Sequence, residues 1–284
     1  MSTPRVLAVR NDADDPLGPL EGWLRDAGVE PVELPGPSVP ETLEGYAGLI
    51  VLGGYMSATD DQAAPWLPAL RALLREAVRD ELPTLGICLG GQLLAVANGG
   101  RVEPNPEGPE FGAQLVAKRS AAAHDPLFRP LPIAPDVIQW HFDAITRLPP
   151  GAIELASSPV CPNQAFRLGR LAWGLQFHIE TTPELLRRWA ADDAGALDGY
   201  DVEALLSRAD AAHADVAETW RPFIAEFAAI VRDPAAVPPP RGVPTSTAAP
   251  LTDPAAIRAA LAAEAQAARA PLLPLPTVRP PSDD

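Results

Sequence analysis

With 284 residues, 47% of them hydrophobic, and a formal net charge of −15, the chain can bury one large core of about 230 residues with an appendage, and is short for two enzyme domains. The acidity, with lysine nearly absent and arginine supplying the positive side chains, disfavours nucleic-acid phosphate and anionic membrane as partners. The two cysteines, Cys88 and Cys161, are far apart, no apolar run approaches the roughly 18 residues of a bilayer span, and the N-terminus enters a strand directly, so neither a disulfide framework nor a targeting segment is evident and the reducing cytoplasm is the expected setting.

Arg5 to Arg10 predicts a first buried strand, Pro19 to Gly28 a short helix and Glu30 to Leu34 a second strand, an order that implies a parallel pair. A Pro-rich loop, Pro35 to Pro40, leads to a third strand over Gly48 to Leu52 that runs into Gly53 and Gly54. Residues just past the carboxyl ends of parallel strands line the site, so these glycines read either as a plain turn or as backbone that a ligand approaches. Leu67, Leu70, Leu73, Leu74 and Val78 give one apolar stripe to a helix within Asp60 to Arg79.

Leu82 to Ile87 then predicts a strand, Cys88 a sharp turn between Gly86 and Gly90, and Leu89 to Asn98 a helix closed by Gly99 and Gly100. This is a nucleophile-elbow pattern with sulfur in place of a serine oxygen, and a helix N-terminus favours thiolate. Alone it fits a buried small hydrophobe equally well.

From Val102 to Asp143, short alternating segments broken by prolines predict antiparallel or mixed strands folding over the site. His124, ahead of Asp125 and Pro126, reads as a turn histidine. Trp140 to Asp143 sets an indole, an imidazole and a carboxylate just past a strand, which suits substrate contact or a packed indole with a structural histidine. Ile153 to Ser157 and Asn163 to Leu168 predict a strand pair with an inert Cys161 in the loop between them. Leu171 to Glu180 predicts a buried strand in which His178 and Glu180, two apart, leave the same face. With Cys88 they make up a nucleophile, a base and an orienting acid. A threonine-capped start at Thr181 to Glu184 opens two helices, about Pro183 to Ala194 and Val202 to Val231, the second with a core stripe. Residues 1–232 are the expected domain, 233–252 a Pro-rich linker and 253–284 an Ala-rich helical or disordered tail.

Together, Leu52 to Gly54, the run GICLGGQLLA from Gly86 and the segment Gln176 to Glu180 resemble the glutaminase domain of class I glutamine amidotransferases, above all those similar to the amidotransferase half of GMP synthase, over roughly residues 5 to 230. The resemblance implies an α/β fold of flavodoxin-like architecture, a mostly parallel open sheet with helices on both faces plus a small antiparallel or mixed sheet. It implies Cys88, His178 and Glu180 as catalytic residues, the Gly54 and Leu89 amides as oxyanion hole, and Gln92, one helical turn from Cys88, as a glutamine contact, although on its own Gln92 also fits a solvent-facing helix position. Trp140, His141 and Asp143 would lie beside the glutamine pocket, with no metal and no cofactor.

The implied reaction hydrolyses the glutamine side-chain amide through a γ-glutamyl thioester on Cys88, giving glutamate and ammonia for an unidentified acceptor. The sequence carries neither a GxxxxGK[ST] nor an SGG-x-D nucleotide loop, so a separate synthase subunit would supply the acceptor chemistry, or the enzyme works alone. Two positions depart from the family pattern: Gly91, where histidine, tyrosine or alanine is common, and Ile179, where proline is usual. Gly91 would leave room for a larger leaving group, which keeps a γ-glutamyl hydrolase or peptidase open. An inactive partner-binding module on the same fold is the third alternative.

Overall fold

A strand that must bury both faces sets the layout. In β1 (Arg5–Arg10) Val6 and Ala8 face one side and Leu7 and Val9 the other, and all four are fully buried, as in the interior of a parallel sheet covered by helices. The computed structural model describes residues 3–238. In chain order α1 (Leu20–Asp26), β2 (Glu30–Pro35), β3 (Gly48–Val51), α2 (Leu67–Arg79), β4 (Thr84–Ile87) and α3 (Leu89–Ala97) follow. Next come β5 (Arg101–Pro104), β6 (Glu110–Leu115), β7 (Ala117–Lys118), β8 (Asp136–His141), β9 (Asp143–Arg147), β10 (Ile153–Ser157), β11 (Ala165–Leu168) and β12 (Ala172–Leu175), then α4 (Pro183–Asp192) and α5 (Val202–Arg232).

The main sheet has the order β2-β1-β3-β4-β12-β11-β10-β7. Its first five strands are parallel and its last three antiparallel. The mixed part expected from the proline-broken sequence is divided: β7, β10 and β11 extend the main sheet, while β5 with β9 and β6 with β8 form two separate ribbons. Leu20 and Leu24 of α1 and Trp220, Phe223, Ile224 and Phe227 of α5 cover one face of the sheet, and Leu67, Leu70, Leu73 and Leu74 of α2 with Leu93 and Leu94 of α3 cover the other. A third cluster joins Phe111, Ile138 and Trp140 on the β6–β8 ribbon to Leu186 of α4 and Leu205 of α5. Thr182 caps α4, its hydroxyl accepting from the Leu185 amide at 3.2 Å.

The Pro-rich stretch begins on the domain: residues 234–236 form a 3-10 turn, Val237 is buried, and the Arg170 guanidinium donates to the Pro234 and Val237 carbonyls. Residues 239–284, with the remainder of the expected linker and the whole tail, lie outside the described residues. Among the described residues no helix is long and apolar enough to cross a membrane.

The first turn of α3 is wedged against three strands, and glycine permits it. A Cβ at Gly90 would stand 1.9 Å from the Val51 carbonyl oxygen of β3, one at Gly91 2.5 Å from the Leu175 carbonyl of β12, and one at Gly86 2.5 Å from the Gly90 backbone. None of these obstacles is a flexible side-chain end. Gly90→Ala is therefore expected to destabilise the domain by about 3 kcal/mol or more, above the common overpacking cost because backbone must move. Urea unfolding of the variant beside the parent checks this, and a loss within a few tenths would contradict the packing described.

Candidate active site

Cys88 stands at the carboxyl end of β4 with φ 49° and ψ −108°. Such a conformation costs a side-chain-bearing residue roughly 1–3 kcal/mol and persists only where its surroundings fix it. Here the Cys88 amide donates to the Leu175 carbonyl at 2.8 Å while its carbonyl accepts from the Gln92 amide at 3.0 Å. The thiol is 6% exposed, with the Trp140 carbonyl and Gln176 Nε2 each 3.9 Å from Sγ.

His178 and Glu180 meet as expected, by a different route. The strand foreseen over Leu171 to Glu180 ends at Leu175, because β4, its parallel partner, turns away at the elbow and the Cys88 amide takes the last carbonyl. The chain then crosses to β8, where His178 and Ile138 exchange backbone hydrogen bonds of 2.8 and 3.2 Å. His178 Nδ1 lies 2.5 Å from Glu180 Oε1, and the ring packs on Trp189 of α4 with centroids 4.8 Å apart. The Ile179 amide donates to Glu180 Oε2 at 2.8 Å; a proline at that position would have no N–H to give.

Burial of His178 works against its protonated form, but the charges of Glu180 and then Cys88, with hydrogen bonds to both, outweigh it and hold the imidazole well above its ordinary value. The acid on one side and the sulfur on the other thus both favour the protonated ring.

Cys88 and His178 line one cavity of about 530 Å³ together with Gly54, Gln92, Trp140, His141 and Asp143, while Glu180 is fully buried behind the ring. Leu89 is the first residue of α3, so its N–H has no carbonyl one turn back, and it follows Cys88 directly. Gln92 is buried, with Nε2 donating to the Asp143 carbonyl at 3.1 Å and to Gln176 Oε1 at 3.3 Å, so it is no solvent-facing helix residue. The Trp140 indole N–H donates to Asp193 at 2.8 Å. Both His141 ring nitrogens are engaged within the protein, Nδ1 with the Asp143 carbonyl at 2.9 Å and Nε2 with Glu110 at 3.1 Å. Gly91 faces the β12 backbone and is not among the cavity's lining residues, so the room it was expected to leave for a larger leaving group is not there. Cys161 is fully buried, and its thiol is pushed up to about 12 by burial and the charge of Glu110. His124 is exposed at the end of a 3-10 turn.

The sequence did not single out Glu110, Gln164 or Asp15. Glu110 accepts from Ser158 at 2.9 Å and Gln164 at 2.7 Å as well as meeting His141, a buried network that fixes the ribbon behind the cavity. Asp15 reaches the far side of His178: a Cβ at Gly53 would fall 2.0 Å from Asp15 Oδ2 and 3.2 Å from His178 Cε1. The available signal was position, since Asp15 lies in the turn just after a parallel strand. Asp12 and Asp14 flank it in the same turn, and sequence alone does not tell the three aspartates apart.

The comparisons with known proteins agree with this geometry. The chain is 38% identical over 143 residues to the glutamine-hydrolysing GMP synthase of Porphyromonas gingivalis, covering 50% of this chain and 26% of that protein; it thus spans about a quarter of the length of that relative. It is 30% identical to a glutamine amidotransferase-like protein of Salmonella typhimurium, covering 63% of this chain and 77% of the other. The crystal structure of a glutamine amidotransferase from Thermotoga maritima superposes with a TM-score of 0.71 at 32% identity, covering 80% of this chain and 99% of that one. Residues 24–190 match the family Glutamine amidotransferase class-I, and with the flavodoxin-like sheet and the convergence of Cys88, His178 and Glu180 the chain belongs to the class-I glutamine amidotransferases.

Proposed function

We propose that the protein hydrolyses the side-chain amide of glutamine, with Cys88 as nucleophile. The observation that carries this reading is that a strained elbow cysteine and a histidine line one cavity, with a buried glutamate 2.5 Å from the histidine ring. The Cys88 thiolate adds to the carboxamide carbon, and the oxyanion takes hydrogen bonds from the Gly54 and Leu89 amides, where one such donor is worth about 3–4 kcal/mol of barrier. His178 gives its proton to the nitrogen as the C–N bond breaks, releasing ammonia and leaving a γ-glutamyl thioester. The imidazole, now neutral, takes a proton from water, whose oxygen displaces the sulfur to give glutamate. Glu180 orients the ring through both steps.

Gln92, Trp140 and Asp143 shape the pocket wall against the γ-glutamyl chain. His141 lines the same wall, its two nitrogens held by the Asp143 carbonyl and Glu110. The GMP synthases that the chain resembles are named as glutamine-hydrolysing, which supports ammonia as the useful product and a separate synthase as its consumer. The domain of this reaction is residues 1–232, with 234–237 packed on it, and its expected setting is the cytoplasm.

Cys88→Ala is expected to lower glutaminase kcat on the order of 10⁴-fold or more, read as glutamate release; substantial activity surviving the change would sink the assignment. Across a panel of γ-glutamyl amides glutamine should have the highest kcat/KM, and a clear preference for a bulky amide would favour a γ-glutamyl hydrolase. Glu180→Gln removes the largest influence raising the His178 pKa, so the imidazole titration moves to lower pH. An NMR titration of the ring in both proteins tests the sign, and an unmoved or upward-shifted titration would refute the electrostatic account.

A further inference from the structure

Two buried carboxyl groups, not one, bear on His178. Oxygens of Asp15 and Glu180 and a ring nitrogen of His178 all lie within 4.8 Å of one another. Asp15 is 3% exposed, and its Oδ1 finds no hydrogen-bond partner among the described residues. Glu180 is already an acceptor on both oxygens, from His178 Nδ1 and from the Ile179 amide that a proline could not supply. Two like charges in such a place cannot both be retained, and a bare ionised oxygen in the interior is costly.

We propose that Asp15 is a positioning residue of the Cys88–His178–Glu180 triad: its carboxyl holds the single proton of the Asp15–Glu180 pair and donates it in a hydrogen bond to Glu180, fixing the carboxylate that orients the imidazole. Glu180 then has three donors and the site carries one net negative charge beside the imidazolium instead of two. Burial first, then the charge of Glu180, hold the Asp15 carboxyl well above the usual carboxylate range against the pull of His178.

The turn is built to keep Asp15 there. Asn11 Nδ2 donates to the Leu52 carbonyl at 2.9 Å and Asn11 Oδ1 accepts from Trp66 at 3.1 Å. Gly18, at φ 53°, lies where a Cβ would meet the Glu180 carbonyl at 2.2 Å. The other charged groups around the turn are Asp12 beside Asp15, Asp14 paired with Arg188 of α4, and Glu33 of β2, which is paired with Arg10 and accepts from the Leu17 amide. Each cation here is already held by a carboxylate other than Asp15.

The inference rests on the proposed triad, and the test separates the two. Alkylation of Cys88 by iodoacetamide is followed against pH in the full-length parent, Asp15→Asn and Asp15→Leu, with glutaminase kcat and KM measured in parallel; Cys161, buried and titrating at about 12, does not compete. In D15N an amide donor replaces a neutral acid, so the acid limb of alkylation stays in place and kcat is largely rescued relative to D15L. In D15L the donor is gone, and kcat falls about 10-fold or more, as for other partners that orient a reacting group, with KM little changed. An acid limb displaced to lower pH in D15N, or a kcat as low as that of D15L, would show that Asp15 is ionised and overturn the proposal; so would a D15L indistinguishable from the parent. If D15L does not fold, D15N decides, together with an infrared difference spectrum of parent minus D15N at pH 7. An un-ionised carboxyl stretch belonging to the parent is expected, and its absence overturns the proposal. Glutaminase activity persisting in Cys88→Ala would instead strike at the proposed function, leaving the alkylation profiles unaffected.

Discussion

The contact on which the site depends is the one between the first turn of α3 and the strands beneath it. Backbone meets backbone where Gly90 lies on the Val51 carbonyl and Gly91 on the Leu175 carbonyl. Any side chain at either position would lift the helix and carry Cys88 away from the end of β4. That closeness also explains the strained dihedrals at Cys88: the chain must leave the sheet and start a helix within one residue, and the hydrogen bonds to Leu175 and Gln92 hold it there. A sulfur on such a corner projects over the sheet edge, and the unpaired amides of the new helix are beside it.

The same corner shapes its neighbour. Because β4 departs at Ile87, β12 loses its partner after Leu175, and the chain is free to cross to β8. The bridge between His178 and Ile138 gives the imidazole its height and Trp189 gives it a floor. The β6–β8 ribbon is in turn held by the buried Glu110, Gln164 and His141 network. Two separate sets of polar groups thus sit in the interior, one aligning the His178 ring and one securing the wall opposite it. Each is tied to backbone groups whose positions the sheet has already decided.

Departures from the usual family pattern acquire meaning through these contacts. Ile179 in place of proline adds an N–H to Glu180, which favours its ionised form and leaves the proton the two would share to Asp15. Gly91 has the opposite lesson. In the sequence it looked like space beside the nucleophile, but a residue three positions into a helix points according to the helix phase, and here that direction is into β12.

Local pattern was enough for the strand–elbow–helix around Cys88, the parallel pair at the N-terminus, the α2 and α5 stripes and the threonine cap of α4, because each depends on residues near in sequence and on periodicities of two or 3.6. Paired with a family resemblance, it was also enough to expect His178 and Glu180 to meet near Cys88, as they do. Only tertiary structure decided that His178 is presented by a bridge to β8 and not by a strand, that Gln92 is buried, that His141 spends both nitrogens on Asp143 and Glu110, and that Asp15, one aspartate among three in an acidic turn, lies against the triad. Those facts arise where segments distant along the chain come into contact, and a one-dimensional pattern holds no record of which carboxylate will lose its water.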